Sequence, residues 1–373
     1  MTDSVPGSLR GRRIAVGMSG GVDSSLAAAL LVEAGASVSG LTMKIYGHGA
    51  ATPSLPSGVS GDACYGPGED EDIEACRDLC ARLGIPYRVV DLSVEYERLV
   101  LGYFREAYRA GRTPNPCVLC NRDLKFGFML DRARVMGDDF ELFATGHYAR
   151  VDLRDGVPLL RMAADSAKDQ TYFLYRLTPS RLAGVVFPLG GFTKAETRAE
   201  ARRLGLAAAD RAESQDFVAG GYSALFGDEE PGDIVDEAGT VLGRHRGIVH
   251  YTIGQRRGIG VSAGPVPLYV SAIDAANNRI VVSRDASLFA GGLEGSDAVL
   301  HAPGLRAGFR ALVRIRQNHR PAAASVTVGG DAALVRFDEP QRAVAPGQSA
   351  VFYDDDGRVL GGCVIERGLP PSA

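Results

Sequence analysis

The fold of this protein is decided by residues 13–25, which read R-I-A-V-G-M-S-G-G-V-D-S-S. Residues 13–18 form a short apolar run stopped by glycines, a pattern typical of a buried parallel strand. Residues 22–34 follow as a predicted helix with leucines on one stripe and Gly35 as its stop. Glycines between a strand and a helix let a phosphate approach the free N–H groups of the helix N-terminus. We therefore predict a phosphate-binding turn formed by Gly17, Met18, Ser19, Gly20, Gly21, Val22, Asp23 and Ser24.

Outward from this turn, strands and helices continue to alternate along the first part of the chain. Repeated β-α units imply a parallel sheet with helices on both faces, where ligands bind beyond the carboxyl ends of the strands. A segment rich in Gly, Pro and Ser interrupts the pattern at residues 47–70. We predict strands at 37–45, 87–92 and 142–145 and helices at 71–83, 95–109 and 123–135.

Beyond about residue 228 the pattern changes to short alternating runs, which predict one or two small β-barrels. The predicted fold class is therefore α/β, with an N-terminal parallel-sheet domain followed by two small β domains. We expect boundaries that give domains 1–226, 227–294 and 295–373. The predicted strands of the later domains are 247–253, 268–273, 279–283, 311–315, 324–328, 333–337 and 349–353, with turn residues at 274–278.

Composition excludes several classes of protein. The 373 residues are 45% hydrophobic and 23% charged, which is too apolar for a disordered chain. The longest apolar runs are too short to span a bilayer, and no signal peptide is apparent, so we expect a cytoplasmic protein that does not contact membranes. Six cysteines are too sparse for a disulfide scaffold in a chain of this length.

The net charge of -4 conceals an uneven distribution along the chain. Residues 241–320 contain eleven arginines, no lysine and four acids, a net charge of +7, so the remainder carries -11. Guanidinium groups pair with phosphate in a bidentate manner, although an ordinary solvated surface is an equally good interpretation. The mild overall acidity therefore does not exclude an RNA partner.

The sequence of the turn distinguishes between nucleotide-binding loops. It is not a Walker A loop, because no lysine follows the glycines. It resembles the PP-loop of ATP pyrophosphatases, which cleave ATP between the α and β phosphates, and residues 17–24 are called the PP-loop below. The resemblance implies an adenine nucleotide alpha hydrolase-like domain that binds ATP and Mg²⁺. Asp23 can hold Mg²⁺ or orient the helix cap, and Met43 and Gly146 match positions that border the adenosine.

A second motif, T-P-N-P-C-V-L-C-N at residues 113–121, contains two prolines and two cysteines. The prolines stiffen the segment, so we expect the thiols on a defined loop rather than in a core. A C-x-x-C pair can be a redox dithiol, half of a zinc site or part of an iron–sulfur ligand set. We call Cys117 and Cys120 the thiol pair.

Together these motifs resemble the tRNA-specific 2-thiouridylase family along essentially the whole chain. The resemblance implies that ATP adenylates the C2 oxygen of the wobble uridine in the anticodon stem-loop of tRNA. A sulfur nucleophile then expels AMP. Further matching motifs are A-C-Y (63–65), K-D-Q-T-Y (168–172), F-P-L-G (187–190), E-S-Q-D (213–216), Y-T-I-G-Q-R-R-G (251–258), R-F-D-E-P-Q-R-A (336–343) and P-G-Q (346–348).

The resemblance also implies roles for individual residues. Cys120 matches the nucleophile, and Asn115, Pro116 and Cys117 match positions that contact the target base. The implied partners are tRNA and a sulfur source, which is either a donor protein or sulfide. Further tRNA contacts are implied for His147, Lys168, Asp169, Gln170, Arg316, Gln317 and Gln348.

The chain departs from the family at residue 218. Many members carry a second catalytic cysteine in a segment such as E-S-Q-D-I-C-F, where this chain has Val218. Either the thiol pair both carries and resolves the sulfur, or it ligates a [4Fe–4S] cluster with a third cysteine. We expect Cys64 as this third ligand, with Cys76 and Cys80 as further candidates.

Two other interpretations remain open at this point. One is a PP-loop enzyme with a different acceptor, such as an amidotransferase synthetase or a tRNA-lysidine-type ligase. It leaves the thiol pair without a role. The other is an RNA-binding or sulfur-carrier protein that binds ATP without turnover, which Val218 favours.

Overall fold

The computed structural model of this protein describes residues 9–47, 63–211, 216–219, 221–262, 264 and 266–371. The chain forms two compact units. The first takes its described residues from 1–99, 117–221 and 356–359, and the second from 100–116, 222–355 and 360–373. The second unit thus includes a segment from the first half of the chain. The predicted boundaries after residues 226 and 294 stay a prediction.

Short apolar runs form the strands of the first half, and helices that pack against the sheet separate them. Ile14, Ala15 and Val16 are almost fully buried, as the apolar run predicts for a central parallel strand. In chain order, the elements up to residue 218 are β1 (Arg13–Gly17), α1 (Val22–Glu33), β2 (Ser37–Lys44), β3 (Ala63–Tyr65), α2 (Glu69–Leu83), β4 (Tyr87–Asp91), α3 (Ser93–Tyr96), α4 (Gly102–Arg109), α5 (Pro116–Leu119), α6 (Met129–Val135), β5 (Leu142–Thr145), β6 (Arg150–Arg154), β7 (Val157–Arg161), α7 (Thr171–Leu174), α8 (Pro179–Leu182), β8 (Val185–Val186), α9 (Lys194–Arg203) and β9 (Asp216–Val218).

Five of these strands form one parallel sheet in the order β4-β2-β1-β5-β8. Val16 at the centre pairs with Gly40 on one side and Ala144 on the other. The order of the strands along the chain reverses between β1 and β5. Sheets of this kind bind ligands at the reversal, outside the carboxyl ends of the strands. The predicted α/β sheet is confirmed, and the PP-loop leaves β1 at this point.

Helix α1 shows why the prediction of this region succeeds. Leu26 and Leu31 are buried at 0% and 1% exposure, but Leu30 is only partly buried, and burial extends around most of the helix instead of along one stripe. Gly35 follows the helix with a φ of +78°, and the Ala36 N–H donates to the Leu31 carbonyl, which closes the last turn. The helix therefore ends at the glycine that the sequence marks as its stop.

Two predicted helices contain π-helical segments, and the second corrects the prediction for the thiol pair. The helix predicted at 95–109 consists of α3, a π-helical segment Glu97–Leu101 and α4. The helix predicted at 123–135 begins earlier, because Pro116 opens α5 and a π-helical segment Cys120–Phe128 leads into α6. Proline suits the first position of a helix, where its missing N–H is not needed. The thiol pair therefore lies on a helix and not on a loop.

The second unit is built mainly from antiparallel strands. One sheet has the order β11-β10-β13-β12, and the strands after it close into a barrel, β14-β17-β16-β15-β18-β19. Two small β structures after the parallel sheet confirm the predicted fold class. The strands are β10 (Gly232–Val235), β11 (Val241–His245), β12 (Tyr269–Asp274), β13 (Arg279–Ser283), β14 (Phe289–Leu300), β15 (Gly308–Arg314), β16 (Ala322–Gly329), β17 (Ala332–Arg342), β18 (Ser349–Tyr353) and β19 (Val359–Leu369).

One predicted strand of this unit is wrong. Residues 247–253 contain a 3₁₀ turn, Ile248–His250, instead of a strand. Gly247 precedes the turn with a φ of +118°, a backbone conformation that does not continue a strand. Separately, none of the helices in the described part of the chain has the length and hydrophobicity to cross a membrane.

Candidate active site

A cavity of about 420 Å³ lies in the first unit, at the carboxyl ends of β1, β2 and β5. The PP-loop forms one part of its wall, and the thiol pair forms another. The parallel sheet therefore brings together two motifs that are about a hundred residues apart in sequence. Of the predicted site residues, the lining includes Gly17, Met18, Ser19, Gly21, Val22, Asp23, Ser24, Met43, Cys64, Cys117, Cys120, Gly146, His147 and Gln170.

The PP-loop is shaped by its own serines. The Ser24 hydroxyl accepts a hydrogen bond from the Ser19 N–H at 3.1 Å, and the Ser25 hydroxyl donates to the Gly21 carbonyl at 2.8 Å. Gly20 adopts a φ of +73°, which other residues rarely do. Gly21 is the N-cap residue of α1 and has no side chain with which to cap it. The first N–H groups of α1 lack intrahelical acceptors, so the loop suits an anion such as a phosphate.

Gly146 lets the end of β5 approach this loop. A Cβ atom at Gly146 would lie 2.6 Å from the Asp23 carbonyl carbon and from the Ser24 nitrogen, closer than any side chain permits. The glycine is therefore required by packing as well as by its position on the cavity wall. Met43 lies at the end of β2, on the same wall.

Asp23 is paired with a lysine that the sequence did not single out. The Lys194 ammonium lies 2.8 and 2.9 Å from the two carboxylate oxygens of Asp23, and its side chain is only 13% exposed. The Tyr148 hydroxyl lies 3.0 Å from the same carboxylate. Lys194 begins α9 behind a capping box formed by Thr193 and Glu196, which fixes the start of that helix. Asp23, predicted to hold Mg²⁺ or to orient the helix cap, is thus neutralised by an ammonium group.

The thiol pair lies along one helical run, since Cys117 is in α5 and Cys120 begins the π-helical segment. Burial raises the pKa of Cys117 to about 12 and that of Cys120 to about 11. The Lys125 ammonium, five residues after Cys120, lowers both pKa values, but the desolvation outweighs it. Both thiols are therefore protonated at neutral pH in the substrate-free cavity.

A third thiol, Cys64, lines the same cavity from β3. It is exposed to solvent, yet the protein atoms around it raise the pKa of its thiol by desolvation. Strand β3 pairs in parallel with β9, where Ala63 is opposite Asp216 and Tyr65 is opposite Val218. Val218 is fully buried. The cysteine that joins the thiol pair in this cavity therefore comes from β3, and residues 213–215 of the E-S-Q-D motif lie outside the described residues.

The three cysteines do not form a metal-ligand set as they are placed. Cys64 and Cys120 both raise the pKa of Cys117, so the thiols lie within electrostatic reach of one another. Within the described ranges, however, no group of three or more His, Cys, Asp or Glu side chains is arranged to hold a metal ion. The predicted [4Fe–4S] site at Cys64, Cys117 and Cys120 is not assembled by this arrangement.

A second cation, which sequence reasoning also missed, lies beside the PP-loop. Arg211 lines the cavity, donates to the Gly20 carbonyl at 3.2 Å and pairs with Asp72 at 2.5 Å. Asp72 belongs to α2. No local pattern marks Arg211, because its partner in the loop is 191 residues away in sequence.

Glu69 lines the cavity at the start of α2. Its carboxylate oxygens accept hydrogen bonds from the N–H groups of Ile45 at 2.7 Å and Tyr46 at 2.9 Å, just beyond the end of β2. Burial raises its pKa to about 7, although the two N–H groups and Lys44 lower it. Glu69 therefore changes its charge near neutral pH.

The residues predicted to contact tRNA in the first unit have different surroundings. His147 and Gln170 line the cavity; burial holds the pKa of His147 well below 6.5, and Gln170 accepts a hydrogen bond from the Tyr148 N–H. Lys168 is half-buried. Asp169 is fully buried and accepts hydrogen bonds from the Ala163 N–H and the Thr171 hydroxyl. This carboxylate therefore lies inside the protein, and the tRNA contact predicted for Asp169 stays a prediction.

The other predicted tRNA contacts belong to the second unit. Gln348 donates hydrogen bonds to the carbonyls of Thr113 and Pro114 at 3.1 and 3.3 Å, and so holds the backbone just before Asn115. Asn115 and Pro116 are buried. Arg316 and Gln317 follow strand β15 and are half-buried, and Arg316 donates to the Arg342 carbonyl at 3.3 Å.

Three families match consecutive parts of the chain. Residues 12–219 match the tRNA methyl transferase HUP domain, and residues 224–284 match the tRNA methyl transferase PRC-barrel domain. Residues 294–365 match the aminomethyltransferase beta-barrel domain. Together these matches cover the parallel sheet, the four-stranded sheet and the closed barrel.

Relatives called "tRNA-specific 2-thiouridylase MnmA" are similar to nearly the whole chain. A protein of Geobacter metallireducens is 44% identical over 96% of this chain and 98% of its own length. One of Pelobacter propionicus is 45% identical over 96% and 98%, and one of Endomicrobium trichonymphae is 42% identical over 95% and 98%.

Proposed function

Because the chain belongs to the tRNA-specific 2-thiouridylase family, we propose that it is an ATP-dependent tRNA sulfurtransferase that converts the wobble uridine to 2-thiouridine. One observation carries the proposal: the PP-loop, Cys117 and Cys120 line the same cavity. Thiolation gives a role to both the phosphate-binding loop and the thiol pair. A PP-loop enzyme with another acceptor leaves the thiol pair without a role.

The first step activates the base. ATP enters as its Mg²⁺ chelate, and its phosphates bind the N–H groups of the PP-loop and the first turn of α1. The C2 oxygen of the uridine attacks the α phosphorus, the bond to the β phosphate breaks, and pyrophosphate leaves. Lys194 holds the Asp23 carboxylate in place during this step. An anticodon loop presents its bases unpaired, so the uridine reaches the cavity at low cost.

The second step uses the thiol pair. A donor persulfide passes its terminal sulfur to one thiol of the pair and leaves as a thiol, or hydrosulfide opens a Cys117–Cys120 disulfide. Either route leaves a persulfide on one cysteine and a thiol on the other. The terminal sulfur of this persulfide attacks C2, and the C2–O bond breaks as AMP leaves. The other thiol gives its proton to the departing base as its sulfur attacks the inner sulfur, which forms a Cys117–Cys120 disulfide and releases 2-thiouridine. With a persulfide donor, a dithiol reductant then reduces the disulfide. Side chains three apart on a helix have Cβ atoms about 5–6 Å apart, so modest tightening brings this pair within disulfide reach.

The purified full-length protein tests both steps. With tRNA, ATP, Mg²⁺ and a ³⁵S-labelled persulfide donor, we expect pyrophosphate release that depends on tRNA, and label in 2-thiouridine. Pyrophosphate release without tRNA, or an unlabelled nucleoside, contradicts the proposal. Failure of every sulfur donor to support turnover would favour the binding-protein alternative.

The same preparation separates the two sulfur routes. Protein purified without oxygen is analysed for iron and sulfide before the assay. Thiolation by iron-free protein supports the thiol-pair route. If thiolation activity is instead proportional to the bound iron, the sulfur is transferred through the cluster and not through the thiol pair. The sulfur donor and the cytoplasmic location stay predictions from the sequence.

A further inference from the structure

Arg211 is held against the PP-loop from several directions. Its guanidinium donates to the Gly20 carbonyl and pairs with Asp72, as described above. Arg198 of α9 fixes the backbone on the other side, since it donates to the carbonyls of Ala209 at 2.8 Å and Arg211 at 3.2 Å. The side chain is 35% exposed and faces the cavity. A cation held in this way loses little conformational freedom when it binds a ligand.

The charges of the cavity favour such a cation. The acids on its described wall are Asp23, Glu69 and Asp72, and the lysine and arginine side chains on that wall are Lys125 and Arg211. Lys194, which is not on the wall, pairs with Asp23. An ATP molecule brings three or four more negative charges into this space. Its phosphates therefore need positively charged partners in addition to the N–H groups of the loop.

The two cations on the wall have different neighbours. Lys125 lowers the pKa values of Cys117 and Cys120, so its field falls on the thiol pair. Arg211 contacts the PP-loop itself, at Gly20. The uridine must sit between the α phosphate and the thiol pair, so the leaving pyrophosphate points away from the cysteines. Of the two cations on the wall, Arg211 is the one that contacts the phosphate-binding loop.

We propose that Arg211 is a binding residue for the β and γ phosphates of ATP. Asp72 acts as a positioning residue: it holds one edge of the guanidinium, and the planar fork presents its remaining N–H groups to the phosphate oxygens. The inference rests on the proposed function, because it concerns the ATP of that reaction. It assigns ATP affinity to a residue outside the PP-loop.

The test compares ATP with AMP, which lacks the β and γ phosphates. The dissociation constants of both nucleotides are measured by calorimetry for the full-length wild type, Arg211→Gln and Arg211→Lys. Removal of a charge-assisted hydrogen bond predicts a roughly 10- to 100-fold weaker affinity of Arg211→Gln for ATP. The affinity for AMP stays at the wild-type value, and Arg211→Lys falls between the wild type and Arg211→Gln for ATP.

The controls separate phosphate binding from support of the loop. Arg202→Gln removes an exposed arginine of α9 that pairs with Asp210, and it should bind ATP as the wild type does. Equal weakening of ATP and AMP by Arg211→Gln would show that Arg211 only braces Gly20. An unchanged ATP affinity would also overturn the inference. A wild type that binds no ATP contradicts the proposed function itself, which is a distinct outcome.

Discussion

Substitution of Cys120 separates the two proposed steps, adenylation of the uridine and sulfur transfer. Its thiol lines the cavity, whereas the phosphate-binding groups lie on the PP-loop. We expect Cys120→Ala to abolish 2-thiouridine formation while tRNA-dependent pyrophosphate release continues, because adenylation needs no thiol. The measurements are mass spectrometry of the nucleosides and a pyrophosphate assay.

A matched cysteine provides the control for this variant. Cys363 is fully buried in β19, within the closed barrel. Cys363→Ala should retain thiolation, since this thiol is not part of the cavity wall. Wild-type thiolation by Cys120→Ala would remove Cys120 from the sulfur step.

Because Glu69 is buried, its titration makes the free energy of unfolding of the protein depend on pH. Burial raises its pKa from 4.5 to about 7, so the folded state binds the proton more tightly than the unfolded chain does. Protonated Glu69 therefore stabilises the folded state. This contribution to the free energy of unfolding is complete below pH 4.5 and is lost as the pH rises through 7. Glu69→Gln mimics the protonated form and lacks this loss.

Urea unfolding of the wild type and of Glu69→Gln at several pH values measures this effect. As the pH rises from about 4.5 to 7, the urea midpoint of Glu69→Gln should increase relative to that of the wild type. The difference is worth up to about 3 kcal/mol, since one pKa unit corresponds to 1.36 kcal/mol. Parallel pH profiles for the two proteins would show that Glu69 does not titrate in this range.

At the scale of elements, the contact between β5 and α1 depends on one glycine. We expect Gly146→Ala to lower the melting temperature and weaken ATP binding, because its Cβ would lie 2.6 Å from the backbone of Asp23 and Ser24. Overpacking of this kind costs about 1–3 kcal/mol. Thermal unfolding and ATP titration measure the two effects.

Gly184 is the comparison for this substitution. A Cβ there would meet its nearest neighbours at 3.8 and 4.0 Å, which is ordinary contact, so Gly184→Ala should behave as the wild type does. If the two alanine variants bind ATP equally well, the close approach at Gly146 does not shape the loop.

Elements with strong local signals are the ones that the sequence predicted well. β1 and α1 have an apolar run, a leucine stripe and glycine stops, and their observed bounds agree with the prediction to within a residue. The π-helical segments escaped prediction because an apolar stripe does not distinguish a π-helical turn from an α-helical one. Proline at residue 116 indicated a stiff loop, although the same residue also suits the first turn of a helix.

The candidate site was predictable only in part, for a related reason. The PP-loop and the thiol pair are contiguous motifs, so their chemistry can be read from neighbouring residues. Lys194 and Arg211 meet the PP-loop across 171 and 191 residues. No periodicity or spacing encodes such contacts, because the order of the strands in the sheet creates them. Asp169 lies in a matching motif, yet packing buries it.

At the scale of the whole molecule, the arginine-rich stretch 241–320 predicts that tRNA binding depends on salt. Removing one side chain that binds a phosphate reduces the slope of log affinity against log salt by about 1. We expect Arg316→Gln to weaken tRNA binding and to reduce this slope by about that amount. Binding is measured by filter retention over a range of salt concentrations.

Arg310 offers a control from the same stretch. Its guanidinium is already paired with both carboxylate oxygens of Asp338. The family resemblance implies a tRNA contact for Arg316 and none for Arg310, so Arg310→Gln should change the slope less than Arg316→Gln does. Identical slopes for the wild type and Arg316→Gln would exclude a phosphate contact at Arg316.

The backbone at residues 112–113 is held by residues that follow more than two hundred positions later in the sequence. The Thr113 N–H donates to the Pro346 carbonyl, Gln348 donates to the Thr113 carbonyl, and Arg112 pairs with Glu366. Thr113 and Gln348 are 235 residues apart. At 5–20 residues per second, a ribosome needs roughly 10–50 seconds to make the intervening chain. The backbone at residues 112–113 therefore acquires these contacts only after residues 346–366 have been made, so a nascent chain that stops short of them does not yet fix this backbone.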